Sequence, residues 1–209
     1  MTFHHRLAAA LLACTSLAHA LPDTAFQPAF DQFTQAAQGR AAPESAVKAF
    51  AGLRAQEPGN PVLTVYQGAA TAMQARDTWL PWQKMRHAED GLALIDKALA
   101  LLNATHNAPV QRGTPGVLEV KLTAANTFLA VPGFMNRRER GQKLLADVLA
   151  SPLLATAPLP FQAAAWLLAA EQALKDEQPA EARRYLTQVA QSNAPQASQA
   201  RARLAALPQ

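Results

Sequence analysis

The sequence predicts an all-α fold, and three observations carry that prediction. Half of the 209 residues are hydrophobic but only 6% are aromatic, and the hydrophobic half is mostly alanine and leucine, which favour helices over strands. Small and apolar residues recur at helical spacing and are followed by prolines. No stretch bounded by turn residues shows the alternation of polar and apolar residues that is typical of strands.

Residues 1–20 are typical of a secretory signal peptide. A weakly cationic start precedes an apolar run over residues 7–13, and Ala-His-Ala at residues 18–20 fits a leader-peptidase site. We therefore expect a cleaved leader, a periplasmic or secreted location, and a single mature domain over residues 21–209. An alternative stays open, because the residues ending at Cys14 resemble a bacterial lipobox, and lipidation there would anchor the protein in the envelope.

The first regular helical pattern begins at Pro43. Ala46, Phe50 and Leu53 lie on one helical face, and Pro58 with the following Gly-Asn stops the helix. Three later segments repeat this spacing: Gly91, Ile95 and Ala98; Gly141, Leu145 and Val148; and Ala182, Leu186 and Val189.

Each of these helices has a partner before it, and we expect a small residue in each helix to face the other. Thr34 precedes Ala46 by the same interval as Ala170 precedes Ala182, and two small residues in this relation let two antiparallel helices pack closely. Gly68 and Gly91 take the same places in the second pair, but the interval between them is almost twice as long, so this pair carries an insertion. The predicted partner faces are Phe30, Phe33, Thr34 and Ala37 in the first pair, and Trp166, Ala169, Ala170 and Ala173 in the fourth.

This pattern resembles the tetratricopeptide repeat, a helix–turn–helix unit of about 34 residues, although the uncorrected period near 45 is also similar to HEAT-like pairs. The resemblance covers residues 27–195 and implies an α-solenoid of about four antiparallel helix pairs. A helix over residues 196–207 would cap its C-terminal end. It also implies a concave wall built from the first helix of each pair, with Val62, Val65, Ala69 and Met73 in the second unit and Leu167, Glu171, Leu174 and Lys175 in the fourth.

The insertion over residues 77–90 is the most distinctive segment of the chain. Pro81 suits the first turn of a helix, and two of the three tryptophans, Trp79 and Trp82, flank it. With Lys84 and Arg86 following, the segment has the composition of a recognition element. The alternative is that both tryptophans fold back and fill the gap that the longer turn leaves.

A second candidate segment covers residues 134–140. Asn136 reads as a helix N-cap, and Arg137, Arg138 and Arg140 then fall at the start of the helix, where positive charge opposes the helix dipole. An acidic partner or anionic headgroups would explain them. The alternative is an ordinary solvated helical face.

The sequence favours binding over catalysis. Outside residues 1–20 it has only two histidines and no cysteine, and it contains no phosphate-binding glycine loop, nucleophile elbow or metalloprotease motif. We therefore expect no cofactor and no metal. We also expect no nucleic-acid partner, since the excess of basic residues is small and dispersed along the chain. The prediction is a non-enzymatic envelope protein that binds a protein or peptide partner.

Two alternatives come from other classes. The first is a lipid-anchored accessory subunit of an envelope transport or assembly complex, which requires modification of Cys14. The second is a helical enzyme acting on the cell wall, which requires a carboxylate in a deep cleft. Glu44-Ser45, followed by Ala72-Met73-Gln74, is faintly similar to lytic transglycosylases, but the glycine and leucine of that family's motif are absent.

Overall fold

The computed structural model describes residues 21–207, and this part of the chain is all-helical, as the sequence predicts. The predicted signal peptide, with Cys14, lies outside the described residues. Over the described range nine α-helices follow one another without a β-strand. They are α1 (Asp23–Ala37), α2 (Pro43–Gln56), α3 (Pro61–Met73), α4 (Pro81–Ala100), α5 (Gly116–Ala130), α6 (Arg138–Leu149), α7 (Leu159–Lys175), α8 (Pro179–Ala190) and α9 (Ala197–Ala205).

Proline and asparagine set several of the helix starts. Pro43, Pro61 and Pro81 each occupy the first helical residue, where the missing N–H costs no hydrogen bond. The Asn60 side chain accepts hydrogen bonds from the backbone N–H groups of the second and third residues of α3, at 2.9 and 3.3 Å, and so caps that helix. The predicted stop after α2 and the predicted start of α4 are both confirmed.

Helices that are neighbours in the chain pack on one another. The contacts join α1 to α2, α3 to α4, α5 to α6 and α7 to α8, and each of these pairs also contacts the helix that follows it. The first helices of the first three pairs touch as well, α1 with α3 and α3 with α5. Helix α3 is therefore surrounded, and every residue from Pro61 to Ala72 is buried.

The burial of α3 corrects part of the predicted concave wall. Val62 and Val65 are in the core and are not available to a partner, because α1, α2, α4 and α5 all pack around this helix. Ala69 is buried too, but it and the half-buried Met73 both line a surface groove described below.

The predicted close approach of Gly68 and Gly91 is confirmed. A Cβ atom on Gly91 would lie 2.5 Å from the backbone nitrogen of Ala72 and 2.6 Å from the carbonyl oxygen of Gly68, and one on Gly68 would lie 2.7 Å from the Gly91 carbonyl oxygen. No side chain fits in such a space, because the atoms that it would meet belong to backbone. Helices α3 and α4 therefore pack backbone against backbone at this crossing.

The first helix pair is filled by aromatic rings, with one correction of register. Phe26 and Ala36 are fully buried, whereas Ala37, which the spacing placed on the packed face, is exposed. The packed face of α1 still includes the predicted Phe30 and Phe33, which lie against the core. It is centred nearer to Phe26, whose ring centroid lies 5.7 and 5.8 Å from those of Phe50 and Tyr66.

A second hydrophobic cluster lies at the C-terminal end of the described chain. Ala170, Leu186, Val189 and Ala200 form its buried centre, and Leu204 packs against it. Helix α9 thus packs on α8, with Ala200 and Leu204 in this cluster. Among residues 21–207, none of the helices combines the length and apolarity needed to cross a membrane.

Candidate binding groove

A groove of about 750 Å³ opens on one side of the molecule, across the ends of three successive helix pairs. Its floor consists of alanines, including Ala69 and Ala72 from α3 and Ala88 from α4. Larger side chains form its walls, from the start of α4 and from the connection between α5 and α6. The remaining lining residues are Ala37, Met73, Ala75, Arg76, Pro81, Lys84, Met85, Asn126, Thr127, Ala130, Val131, Pro132, Phe134 and Met135.

Exposed hydrophobic side chains gather around this groove. In residues 21–207 five large hydrophobic side chains are exposed. Four of them belong to the second and third helix pairs, which form most of the groove, and the fifth, Leu174, lies on α7. Trp79, Trp82 and Phe134 are 83%, 66% and 67% exposed, and Met85 is 37% exposed. Met85 and Phe134 line the groove, and the two tryptophans flank Pro81 at its edge. The interpretation that the tryptophans fill a packing gap is therefore wrong.

The insertion builds one wall of the groove by lengthening a helix. A short 3-10 turn, Gln74–Arg76, ends α3, and α4 then begins at Pro81, well before the close contact at Gly91. The residues between Pro81 and Gly91 extend α4 past the helix with which it packs. The opposite wall comes from the 3-10 turn Gly133–Met135 after α5. The fold thus brings together the two segments that the sequence analysis selected separately.

The three arginines that start α6 find partners within the chain. Arg137 and Arg140 both form ion pairs with Asp96 on α4, at 3.0 and 2.5 Å, and Arg138 pairs with Asp176 after α7 at 2.5 Å. The guanidinium carbons of Arg137 and Arg140 also lie 5.3 Å from the ring centroid of Phe128. These contacts offset the unfavourable position at the helix N-terminus without an external anion.

Asn136 is not the N-cap that the sequence suggests. It adopts a left-handed backbone conformation with φ of 54° at the end of the Gly133–Met135 turn, and α6 begins at Arg138. Asparagine tolerates this conformation better than most residues. The turn lets the chain reverse, and it places Phe134 and Met135 beside the groove.

The other predicted binding residues fall into two groups. Met73 and Lys84 line the groove, while Arg86 is exposed on α4 outside its lining. Glu171 and Lys175 are exposed on α7 and pair with each other at 2.9 Å, in another helix pair. Met85 and Met135 lie in the two selected segments but were not singled out there, although their residue type was an available signal. Sequence reasoning missed Arg76 and Ala130 altogether.

A buried polar cluster joins α3, which carries part of the groove floor, to α5, whose last turn lines the opposite side of the groove. Glu119 on α5 is 1% exposed, and its carboxylate accepts hydrogen bonds from the Tyr66 hydroxyl on α3 and from the Arg112 guanidinium. Arg112 lies over the ring of Phe30, 3.5 Å from its centroid, and its backbone N–H donates to Asp23 at 3.1 Å. The cluster therefore joins α1, α3, α5 and the segment before α5.

Burial, reinforced by the neighbouring Glu119 carboxylate, raises the pKa of the Tyr66 phenol well above its usual value of 10.0. The unfolded chain releases this proton near pH 10, whereas the folded chain keeps it, so the contribution is complete below pH 10 and is lost as the pH rises further. We expect the free energy of unfolding to fall by up to about 1.4 kcal/mol per pH unit above pH 10 from this group alone. Denaturant titrations of the wild type and of Tyr66→Phe across this range measure it; parallel pH slopes in the two proteins would contradict it.

Within the described part of the chain, no group of three or more histidine, cysteine, aspartate or glutamate side chains is placed to hold a metal ion. Glu44 is exposed and pairs with Lys48 at 2.8 Å, so it does not lie in a cleft. The chain matches no family model, no curated protein and no solved structure closely enough to indicate a relationship.

Proposed function

We propose that this chain is a non-catalytic binding protein of the cell envelope that holds an apolar segment of a partner protein in the groove between α3, α4 and the α5–α6 connection. One observation carries the proposal: the exposed tryptophans and phenylalanine of the described chain gather around a single concave surface with an alanine floor. Exposed apolar patches of this kind mark interaction sites. Tryptophan is also the residue most enriched among interface hot spots.

We further propose that the helix pairs stack as a tetratricopeptide-like solenoid of about four units, capped by α9. The pairwise packing of neighbouring helices and the contacts of α1 with α3 and of α3 with α5 support this arrangement. The close contact of Gly68 with Gly91 also supports it, because the repeat pattern has small residues at these two positions. In such a solenoid the lengthened α4 is an elaboration of one repeat, and insertions of this kind are often where binding occurs.

The envelope location rests on the sequence of residues 1–20. Cleavage after Ala20 gives a periplasmic or secreted protein, whereas lipidation of Cys14 gives an anchored accessory subunit of an envelope complex. Metabolic labelling with a fatty-acid analogue separates them: label on the wild type but not on Cys14→Ala indicates the anchored form.

A cell-wall enzyme is the less favoured candidate. The lining of the groove includes no carboxylate, and the buried Glu119 carboxylate is bonded to Tyr66 and Arg112 instead of facing the groove. A glycoside hydrolase needs two carboxyl groups on either side of the substrate bond. The arrangement at the groove favours binding.

The groove is tested by filling it. Ala130 is the exposed last residue of α5 and lines the groove, and Ala100 is the exposed last residue of α4 and does not. We place a photo-crosslinking amino acid at Met85 and irradiate intact cells. A discrete partner adduct is expected, which Ala130→Trp removes and Ala100→Trp leaves unchanged.

Titration with the purified partner then measures how much each substitution changes the Kd. Truncation of a hot-spot residue costs about 2 kcal/mol or more, so Trp82→Ala is expected to raise the Kd about 30-fold. Circular dichroism confirms that each variant is folded. An adduct that persists equally in Ala130→Trp and Ala100→Trp would show that the partner binds elsewhere.

A further inference from the structure

The methionines of this chain have an unusual distribution. Apart from Met1, the sequence contains Met73, Met85 and Met135, and all three line the groove. They come from three separate segments: the end of α3, the start of α4 and the turn after α5. Methionine is unbranched and polarizable, so it adapts to different apolar surfaces, and methionine-rich grooves are used to bind the apolar faces of helices.

The charged groups of the groove have one sign. Arg76 and Lys84 are the charged members of its lining, and both are cationic. The Arg76 guanidinium donates to the Ala36 carbonyl oxygen at 2.9 Å, at the end of α1, which fixes its position. Lys84 forms no ion pair with another residue in the range 21–207. An occupant with carboxylates beside its apolar face is complementary to these charges, which set orientation more than affinity.

The shape of the site favours a helix over a bilayer surface or a single acyl chain as the occupant. A bilayer surface is too flat to reach the alanine floor behind Met85 and Phe134. A single acyl chain fits a groove of this volume, but it leaves Trp79 and Trp82 uncovered, because they lie outside the lining. A helix, about 10 Å across with its side chains, would place one face in the groove and its flank over Trp79 and Trp82, which flank the lining residue Pro81.

We infer that the groove binds an amphipathic helix of a partner protein, with large aliphatic side chains on one face and aspartate or glutamate beside that face. This inference rests on the proposed function and specifies its ligand. The methionine lining supplies an adaptable apolar contact, and Arg76 and Lys84 select acidic flanks.

The experiment uses the mature protein and synthetic probes. In a Trp166→Phe background the remaining tryptophans, Trp79 and Trp82, report the groove by fluorescence. The probe is a peptide of about 18 residues, long enough to form an isolated helix, with leucines along one face and glutamates beside them. Its controls are the same peptide with lysine for glutamate, and a peptide of the same composition whose leucines share no helical face. Phosphatidylglycerol vesicles and palmitate test the lipid occupants.

The expected result is saturable binding of the leucine–glutamate peptide, with a blue shift of the fluorescence and a gain of helical circular dichroism. Ala130→Phe, which fills the groove without adding a tryptophan, and Phe134→Ala should each weaken it at least about tenfold, and Ala100→Phe should not. Equal binding of the lysine peptide overturns the acidic requirement, and equal binding of the peptide without a leucine face overturns the helix.

Binding of vesicles or palmitate without binding of peptide also overturns the inference. If no peptide binds while the Met85 adduct persists in cells, the inference fails and the proposed function stands. If the adduct is absent as well, both fail.

Discussion

Gly91→Ala is expected to lower the free energy of unfolding by about 2 kcal/mol, the balance of an overpacking cost and a smaller helical gain. The added methyl group meets backbone atoms of α3 at 2.5 and 2.6 Å, and backbone cannot rotate away as a side chain does. Overpacking at such distances should cost about 3 kcal/mol, against roughly 1 kcal/mol that alanine gains over glycine inside a helix. Denaturant unfolding followed by circular dichroism measures the difference.

Gly52→Ala is the matched control, because the same substitution there should have the opposite sign. Gly52 is exposed within α2, and a Cβ atom on it meets nothing within 4 Å. The helical preference of alanine then acts alone and stabilises by about 0.5–1 kcal/mol. If Gly91→Ala is as stable as Gly52→Ala, the backbones of α3 and α4 do not approach as described.

The second large effect is expected at the buried ion pair. Arg112→Met keeps much of the length of the side chain, but it removes both the guanidinium that lies over the Phe30 ring and the cation that pairs with the Glu119 carboxylate. Removing one partner of a buried pair costs about 3–5 kcal/mol, and we expect the lower end because Arg112 is about a quarter exposed. Both residues at position 112 carry a Cβ, so the left-handed backbone there, with φ of 59°, is strained in either case.

Two further variants show whether the loss comes from the unpaired charge. Adding Glu119→Gln to Arg112→Met should recover much of the stability, because the amide leaves no unpaired buried charge and its oxygen still accepts the hydrogen bond from the Tyr66 hydroxyl. Lys48→Met removes one partner of the exposed Lys48–Glu44 pair and should change the stability far less than Arg112→Met does. A double variant no more stable than Arg112→Met would contradict this explanation.

The sequence could predict the features that follow from local spacing. The helical class, the start of α4 at Pro81 and the contact of Gly68 with Gly91 depend on proline geometry, helical periodicity and a repeated distance between small residues. These constraints act over one helix or one helix pair, so they can be read without coordinates. The predicted register of α1 was wrong at Ala37, since the helical face that packs depends on where neighbouring rings such as Tyr66 lie.

The buried cluster and the groove could not be predicted, because their residues are far apart in the chain. Tyr66, Arg112 and Glu119 meet only when α5 packs on α3, and nothing in the residues around each of them indicates the other two. The arginines before and within α6 looked uncompensated for the same reason: their partners, Asp96 and Asp176, lie on other elements. Sequence analysis selected both walls of the groove but not their proximity.

The placement of the methionines has a chemical consequence. Peroxides convert a methionine thioether into a polar, chiral sulfoxide, which is reversible only by dedicated reductases. In residues 21–207 every such thioether lines the groove, and the hydrophobic core is built of alanine, leucine, valine, isoleucine and aromatic side chains. Oxidation of methionine would therefore alter the proposed binding groove while leaving the fully buried side chains unchanged, so we expect loss of the proposed ligand before loss of the fold.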